Sequence, residues 1–137
     1  MITALVTERK IDLATLTAQV KSDTAGAMVT FSGDVRDNDH GRSVKSLTYE
    51  IHPSAQLVIE EIVTRISAKH DLLGVVAVHR FGEIPIGESA FTVITSSRHR
   101  KAAFAACDEI VDVVKEELPI WKYQVFADGS DEWVNNA

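Results

Sequence analysis

The densest run of chemically capable side chains is Ser96-Ser-Arg-His-Arg-Lys101, which places Arg98, Arg100, Lys101 and His99 where a long helix should begin. Unpaired amides already make a helix start partly positive, so cations there are unfavourable unless an anion sits among them. A bound phosphate or carboxylate would resolve the conflict. Exposure to water, or pairing with the chain's own acids, would also resolve it, and residue types alone leave the two readings level. His99 by itself weighs little, because a histidine at a strand-to-helix junction is more often hydrogen-bonded structure than a ligand contact.

Two lysines stand out further along. Lys115 is the one base among Asp108, Glu109, Asp112, Glu116 and Glu117, and helical spacing sets it at the border of an apolar face. A lysine in a last helical turn complements the dipole and lays its stem along apolar surface; on residue type alone that structural reading ranks first. The functional reading is a lysine whose proton affinity is lowered by burial, so that it serves as acid, base or nucleophile. Lys122, in Pro119-Ile-Trp-Lys122, points away from Trp121 and Tyr123 if the segment is extended, on the same side as Gln124. Two lysines then bracket one helix-to-strand corner. Arg36, at a strand end before a glycine-containing loop, is either a solvated edge charge or a clamp on an oxyanion.

Other chemistries are excluded within the sequence. Cys107 is the single cysteine, so no internal disulfide or Cys-x-x-Cys pair exists, and it should be a core residue. His40, His52, His70, His79 and His99 contain no pair at spacing three or four, so no metal site is expected. Neither glycine-rich phosphate loop is present.

The elements that must position these residues follow from periodicity. Asp12 should cap a short helix carrying Leu13, Leu16 and Val20, before the Ser22-Asp-Thr-Ala-Gly26 break. Ala27 to Arg36 is β-rich; after the polar loop 37–43 the strand from Val44 to His52 should return against it as a hairpin. Pro53 opens a helix whose Val58, Ile59, Ile62, Val63 and Ile66 form one stripe, ending near Lys69. Val75 to Phe81 and Ala90 to Thr95 should pair, separated by the turn-rich Gly82–Glu88. Arg98 to Leu118 is a second long amphipathic helix, with Ala103, Phe104, Cys107, Ile110, Val111, Val114 and Leu118 on one face, and Pro119 stops it. Ile120 to Phe126 and Glu132 to Val134 flank a turn as a final hairpin. Helices alternating with strand pairs predict an α+β fold with a largely antiparallel sheet packed on helices.

The 137 residues, 45% hydrophobic and 25% charged, suit a single domain over 1–137. A net charge of −6 argues against wrapping nucleic acid, so any anion site must be local. The opening ten residues lack a signal-peptide pattern and no later apolar run could span a bilayer, so no membrane role and a cytoplasmic location are expected.

Gly26-Ala27, Phe31-Ser-Gly-Asp-Val-Arg36, Gly41, Leu47-Thr-Tyr-Glu50, His79-Arg-Phe-Gly82, Gly87-Glu88, Ser97, His99-Arg100, Ala103-Phe104, Lys115 and Pro119-Ile-Trp-Lys122 occur in that order. The pattern, from about residue 26 to Val134, resembles the large, catalytic subunit family of molybdopterin synthase. The resemblance implies an α/β hammerhead fold and a central homodimer within a heterotetramer. A small ubiquitin-like sulfur-carrier subunit would bind at each end, its C-terminal thiocarboxylate inserted into a pocket. It implies transfer of two sulfurs to cyclic pyranopterin monophosphate, forming the dithiolene of molybdopterin, with no cofactor in the chain. By position it makes Lys115 and Lys122 catalytic. Arg36, His99 and Arg100 become binding residues for the anionic pterin, with Asp34, Val35, Tyr123 and Gln124 as neighbours and with His99 and Arg100 serving a site completed by a second protomer. After Pro-Ile-Trp-Lys the family commonly has a basic residue and a glutamate, whereas this chain has Tyr123 and Gln124, an amide where a carboxylate would stand. The competing readings are a non-catalytic binding module for a phosphorylated pterin or similar anionic metabolite, and a purely structural oligomer.

Overall fold

A computed structural model describes residues 1–135. Asp12 caps α1 (Leu13–Val20), accepting from the Thr15 amide at 3.3 Å and the Thr15 hydroxyl at 2.8 Å. After Pro53, α2 (Ala55–Ser67) buries Ala55, Ile59, Ile62, Val63 and Ile66. The longest helix, α3 (Arg100–Glu117), buries Ala103, Ala106, Cys107, Ile110 and Val114, and it ends before Pro119, whose ring cannot continue a helix. Phe104, counted on the apolar face from spacing, is instead 60% exposed.

The strands form two sheets. The first is ordered β1 (Ile2–Thr7), β5 (Gly74–Arg80), β7 (Ser89–Ser97), β2 (Ala27–Asp34), with β1 parallel to β5 and the other pairs antiparallel. In the second, β3 (Asn38–Asp39), β4 (Arg42–Ile51), β8 (Ile120–Phe126) and β9 (Asp131–Val134) run in order, and β6 (Gly82–Ile84) also pairs with β4. Helices α2 and α3 cover the main core, and α1 closes a smaller cluster of Val20, Val76, Val78 and Ile94 on the far face of the first sheet. Covered on both faces, β5 is a nearly unbroken apolar run rather than an alternating one. The fold is thus α+β with three helices and largely antiparallel sheets, and no helix among the described residues is long and apolar enough to cross a membrane.

One expected strand pairing fails. Residues 27–36 and 44–52 do not form a hairpin: β2 pairs with β7 from Ala27↔Ser97 to Asp34↔Ser89, while β4 pairs with β8 from Val44↔Phe126 to Ile51↔Ile120. The pairing of β2 shifts register at Gly33/Asp34 and stops at Asp34, and the polar loop makes its own short hairpin, Asn38↔Ser43. Paired with β7, β2 places Val29 and Phe31 half-buried against the main core. Ile2–Thr7, read only for targeting signals, is an edge strand along β5, and the turn-rich stretch contains β6. The pairing of β5 with β7 and the β8–β9 hairpin are as expected.

Gly26 is required where β2 begins, since a Cβ there would lie 2.5 Å from the Arg98 carbonyl oxygen. His79 is the one fully buried ionisable side chain of β5. It is 1% exposed, stacks on Phe91 at 5.2 Å between ring centres, and meets Tyr49 edge-on at 5.0 Å. Its Nδ1–H donates to the Arg80 carbonyl at 2.9 Å, leaving Nε2 an acceptor. Burial pushes its pKa down to about 4; the bond to Arg80 opposes this and the charge of Lys115 adds to it.

The unfolded chain, with its histidine near 6.5, therefore takes up a proton first as pH falls. Stability contributed by neutral His79 is complete above pH 6.5 and is lost as pH falls towards 4, by about 3 kcal/mol at most. Urea unfolding between pH 7 and 4.5 should show this decline in the wild type and a flatter profile in His79→Gln. Equal slopes would remove His79 as its source.

Candidate functional site

The pairing of β4 with β8 sets the site. Tyr49 lies opposite Lys122 and Leu47 opposite Gln124, so Lys122 and Gln124 face inward with period two while Tyr123 between them faces out. Tyr123 packs against Trp133 with 4.7 Å between ring centres and donates its hydroxyl to Asp131 at 2.8 Å; it does not line the cavity. Lys115 arrives from the last turn of α3. That helix is held at its start by the Thr95 hydroxyl, which donates to the Ala103 carbonyl at 2.8 Å, and near its end by Arg65, whose Nη2 donates to both Glu117 oxygens at 3.2 and 3.0 Å. Arg36 follows the buried Val35, whose N–H donates to the Glu88 carbonyl at 3.0 Å and whose carbonyl accepts from the Gly87 amide at 2.8 Å.

These elements enclose a cavity of about 180 Å³. Arg36, Lys115 and Lys122 bring cations to it, Asp34 and Asp39 carboxylates, Gln124 an amide, and Phe31, Tyr49, His79 and Phe91 an aromatic wall. Desolvation pushes the Tyr49 phenol up to about 12, so both Tyr49 and His79 are neutral at physiological pH. Gln124 is 3% exposed and its amide donates to Asp39 Oδ2 at 2.9 Å, while Arg36 Nη2 lies 3.8 Å from Asp39 Oδ1. The Gln124 bond, chiefly, holds the Asp39 carboxyl below the usual range against partial burial, helped by the charges of His40, Lys122 and Arg36. Cations converging beside two carboxylates and neutral hydrogen-bonding aromatic groups suit an anionic substrate.

His99 and Arg100 lie elsewhere. With Gly26, Ala27, Arg98 and Lys101 they line a second concavity of about 410 Å³ at the start of α3. His99 is the N-cap residue but its side chain caps nothing; instead Ser97 donates to the His99 carbonyl. No acid occupies the first turn, and Arg98 reaches Asp71 only at 3.9 Å. Among the described residues Arg100 and Lys101 have no carboxylate within ion-pair distance, so the charge conflict at this helix start stands.

The sequence candidates therefore divide. Asp34, Val35, Arg36, Lys115, Lys122 and Gln124 meet in the cavity, His99 and Arg100 share the concavity, and Tyr123 stands in neither. Asp39, Tyr49 and His79 had no assigned role in the sequence. The available signal was a lone histidine in the β-branched run 75–81, whereas Asp39 was one acid among several in a polar loop. Cys107 is buried in the core as expected, its thiol pushed up to about 11 by burial and the Asp108 charge.

A family model described as MoaE protein matches residues 6–117. The molybdopterin synthase catalytic subunit of Aspergillus niger is 39% identical over 132 residues, 96% of this chain and 73% of that protein. Its counterpart in Thermoplasma volcanium is 35% identical over 129 residues, 93% of this chain and 94% of that protein. Among solved structures, molybdopterin synthase from Staphylococcus aureus superposes with a TM-score of 0.86 at 29% identity, covering 98% of this chain and 97% of that one. A complex of subunits 1 and 2 of molybdopterin-converting factor from Helicobacter pylori shares the fold, with a TM-score of 0.74 at 19% identity over 98% of this chain and 88% of that one. The chain belongs to the MoaE family, that of the molybdopterin synthase catalytic subunits.

Proposed function

We propose that the chain, as a molybdopterin synthase catalytic subunit, carries out sulfur transfer in the cavity between Lys115 and Lys122. The donor is the C-terminal thiocarboxylate of a small ubiquitin-like subunit, and the acceptor is cyclic pyranopterin monophosphate, which gains two sulfurs to become a dithiolene. The observation that carries this reading is the convergence of Lys115, from α3, and Lys122, from β8, on one chamber. In each transfer a C–S bond forms at a pterin side-chain carbon as a C–O bond there breaks, and water cleaves the carrier's C–S bond to leave a carboxylate, so protons and charge must move at the reacting carbons. Two ammonium groups there stabilise developing negative charge and exchange protons. Arg36 binds the pterin's anionic part, Asp34, Val35 and Gln124 shape the wall, and Tyr123 acts from outside by bracing the β8–β9 hairpin.

His99 and Arg100 enter this reading through a second copy of the chain. Strand β2 is a sheet edge that runs from the concavity, at Ala27, to the cavity, at Gly33 and Asp34. A two-fold axis crossing β2 would lay the start of one strand beside the end of its mate, bringing each concavity to the partner's cavity. An apolar furrow of Val29, Phe31, Phe104 and Val111 lies beside that edge, with Met28 also 42% exposed, which supplies surface for such a contact.

Mixing the chain with thiocarboxylated small subunit and cyclic pterin should yield dithiolene product by mass spectrometry. Lys115→Ala should lower its formation at least ~100-fold while leaving pterin affinity nearly unchanged. Undiminished turnover would exclude Lys115 from the chemistry, and no product from folded, verified components would leave the binding-module reading. In sedimentation at micromolar concentration the wild type should be dimeric and Phe104→Glu largely monomeric with reduced turnover. A monomeric wild type would refute the shared site.

A further inference from the structure

The cavity holds one bond that its sulfur chemistry does not by itself explain. Gln124 is a buried amide in the wall, and its Nε2 donates to a carboxylate carried by a different sheet strand, Asp39 of β3. A bond from a buried amide to an ionised oxygen is among the stronger neutral-to-charged contacts and fixes which carboxylate oxygen faces where. With Oδ2 taken by Gln124, Oδ1 is left towards Arg36 Nη2 at 3.8 Å. Lys122, two residues before Gln124 on the same face of β8, lies within Coulombic reach of the same carboxylate. The other titratable groups facing it are His40, 3.6 Å away in the β3–β4 turn, with Asp34 and Lys115 on the same cavity.

We propose that Asp39, aimed by the Gln124 amide, is the cavity's resident counter-anion, a positioning residue that orients Arg36 and Lys122 until the anionic pterin displaces it from Arg36. The inference rests on the sulfur-transfer reading for what the oriented groups do, but not for the charge balance itself. The bond joins residues 39 and 124 as acid and amide, and the chemistry is symmetric: an amide at 39 and an acid at 124 would make the same contact with donor and acceptor exchanged. A carboxylate absent from position 124 is thus supplied from position 39 at the same place in the chamber.

Asp39→Asn tests the charge without cutting the tether, because the asparagine carbonyl still accepts from Gln124. Freed of its competing anion, Arg36 in Asp39→Asn should bind inorganic phosphate about fivefold more tightly by titration calorimetry. Turnover with the thiocarboxylated subunit and cyclic pterin should move the opposite way, kcat falling about tenfold as Lys122 loses its orienting charge. Gln124→Glu sets two carboxylates in contact, so they should share a proton and the acid limb of the kcat profile should move to higher pH. The transposed variant Asp39→Asn/Gln124→Glu should return phosphate affinity, kcat and the acid limb to within about threefold of wild type. Thermal melts check that each variant is folded. Unchanged phosphate affinity and kcat in Asp39→Asn, or a transposed variant no better than Asp39→Asn, would reduce the pair to a loop tether and overturn the proposal. A wild type that makes no dithiolene would fail the sulfur-transfer reading alone, since the phosphate titrations still decide the role of Asp39.

Discussion

The site depends on the register of β4 against β8. Tyr49 opposite Lys122 and Leu47 opposite Gln124 put a lysine and an amide into the chamber and leave Trp121 and Tyr123 on the other face. A slip of one residue would exchange the two faces and empty the chamber of both groups. Burial makes that slip costly: Leu47, Tyr49, Ile120 and Phe126 are all core residues, and each would be displaced. The corner after α3 carries the same constraint. His52 donates its N–H to the Pro119 carbonyl at 3.0 Å, so the end of α3 and the start of β8 are pinned to β4 together, and Lys115 and Lys122 cannot drift apart.

Holding three cations around a small chamber has a cost, because like charges repel more strongly as water is excluded. The chain meets it through the groups around the cations. Asp34 and Asp39 stand at the rim, and the two other titratable groups in the wall, His79 and Tyr49, are pushed by burial into their neutral forms. A protonated His79 would add a fourth positive charge beside Lys115, and the stacked, desolvated position between Tyr49 and Phe91 prevents it. The chain's overall charge of −6 does not predict this local field, which belongs to the arrangement and not to the composition.

Much of this was legible from residue spacing. The three helices read directly, because an apolar stripe at helical period and caps such as Asp12 are local properties. So did the shared side of Lys122 and Gln124, opposite Trp121 and Tyr123, since alternation along a strand needs no tertiary knowledge. The failures were non-local. Whether β2 pairs with β4 or β7 is decided by which face of Val29 and Phe31 lies beneath α3, and nothing in residues 27–52 records that. Phe104 looked like core because helical spacing reports a face, not what covers it. The ordered motifs identified the family and named the lysines. They said nothing of Asp39, whose importance comes from one hydrogen bond to a residue far along the chain.

The unrelieved charge at the start of α3 and the open edge of β2 are two sides of one problem. A helix beginning with Arg100 and Lys101, without an acid in its first turn, is electrostatically poor on its own. An edge strand whose Val29 and Phe31 lie beside the exposed Phe104 leaves apolar surface in water. Each defect is local to one end of β2, and the cavity occupies the other end. In a single chain these features do not compensate one another. An antiparallel two-fold contact along β2 would cover the apolar surface and carry the surplus positive charge to the partner's chamber, where an anionic pterin is the group able to neutralise it. In the proposed dimer the helix start would be a half-site, completed by another copy of the chain.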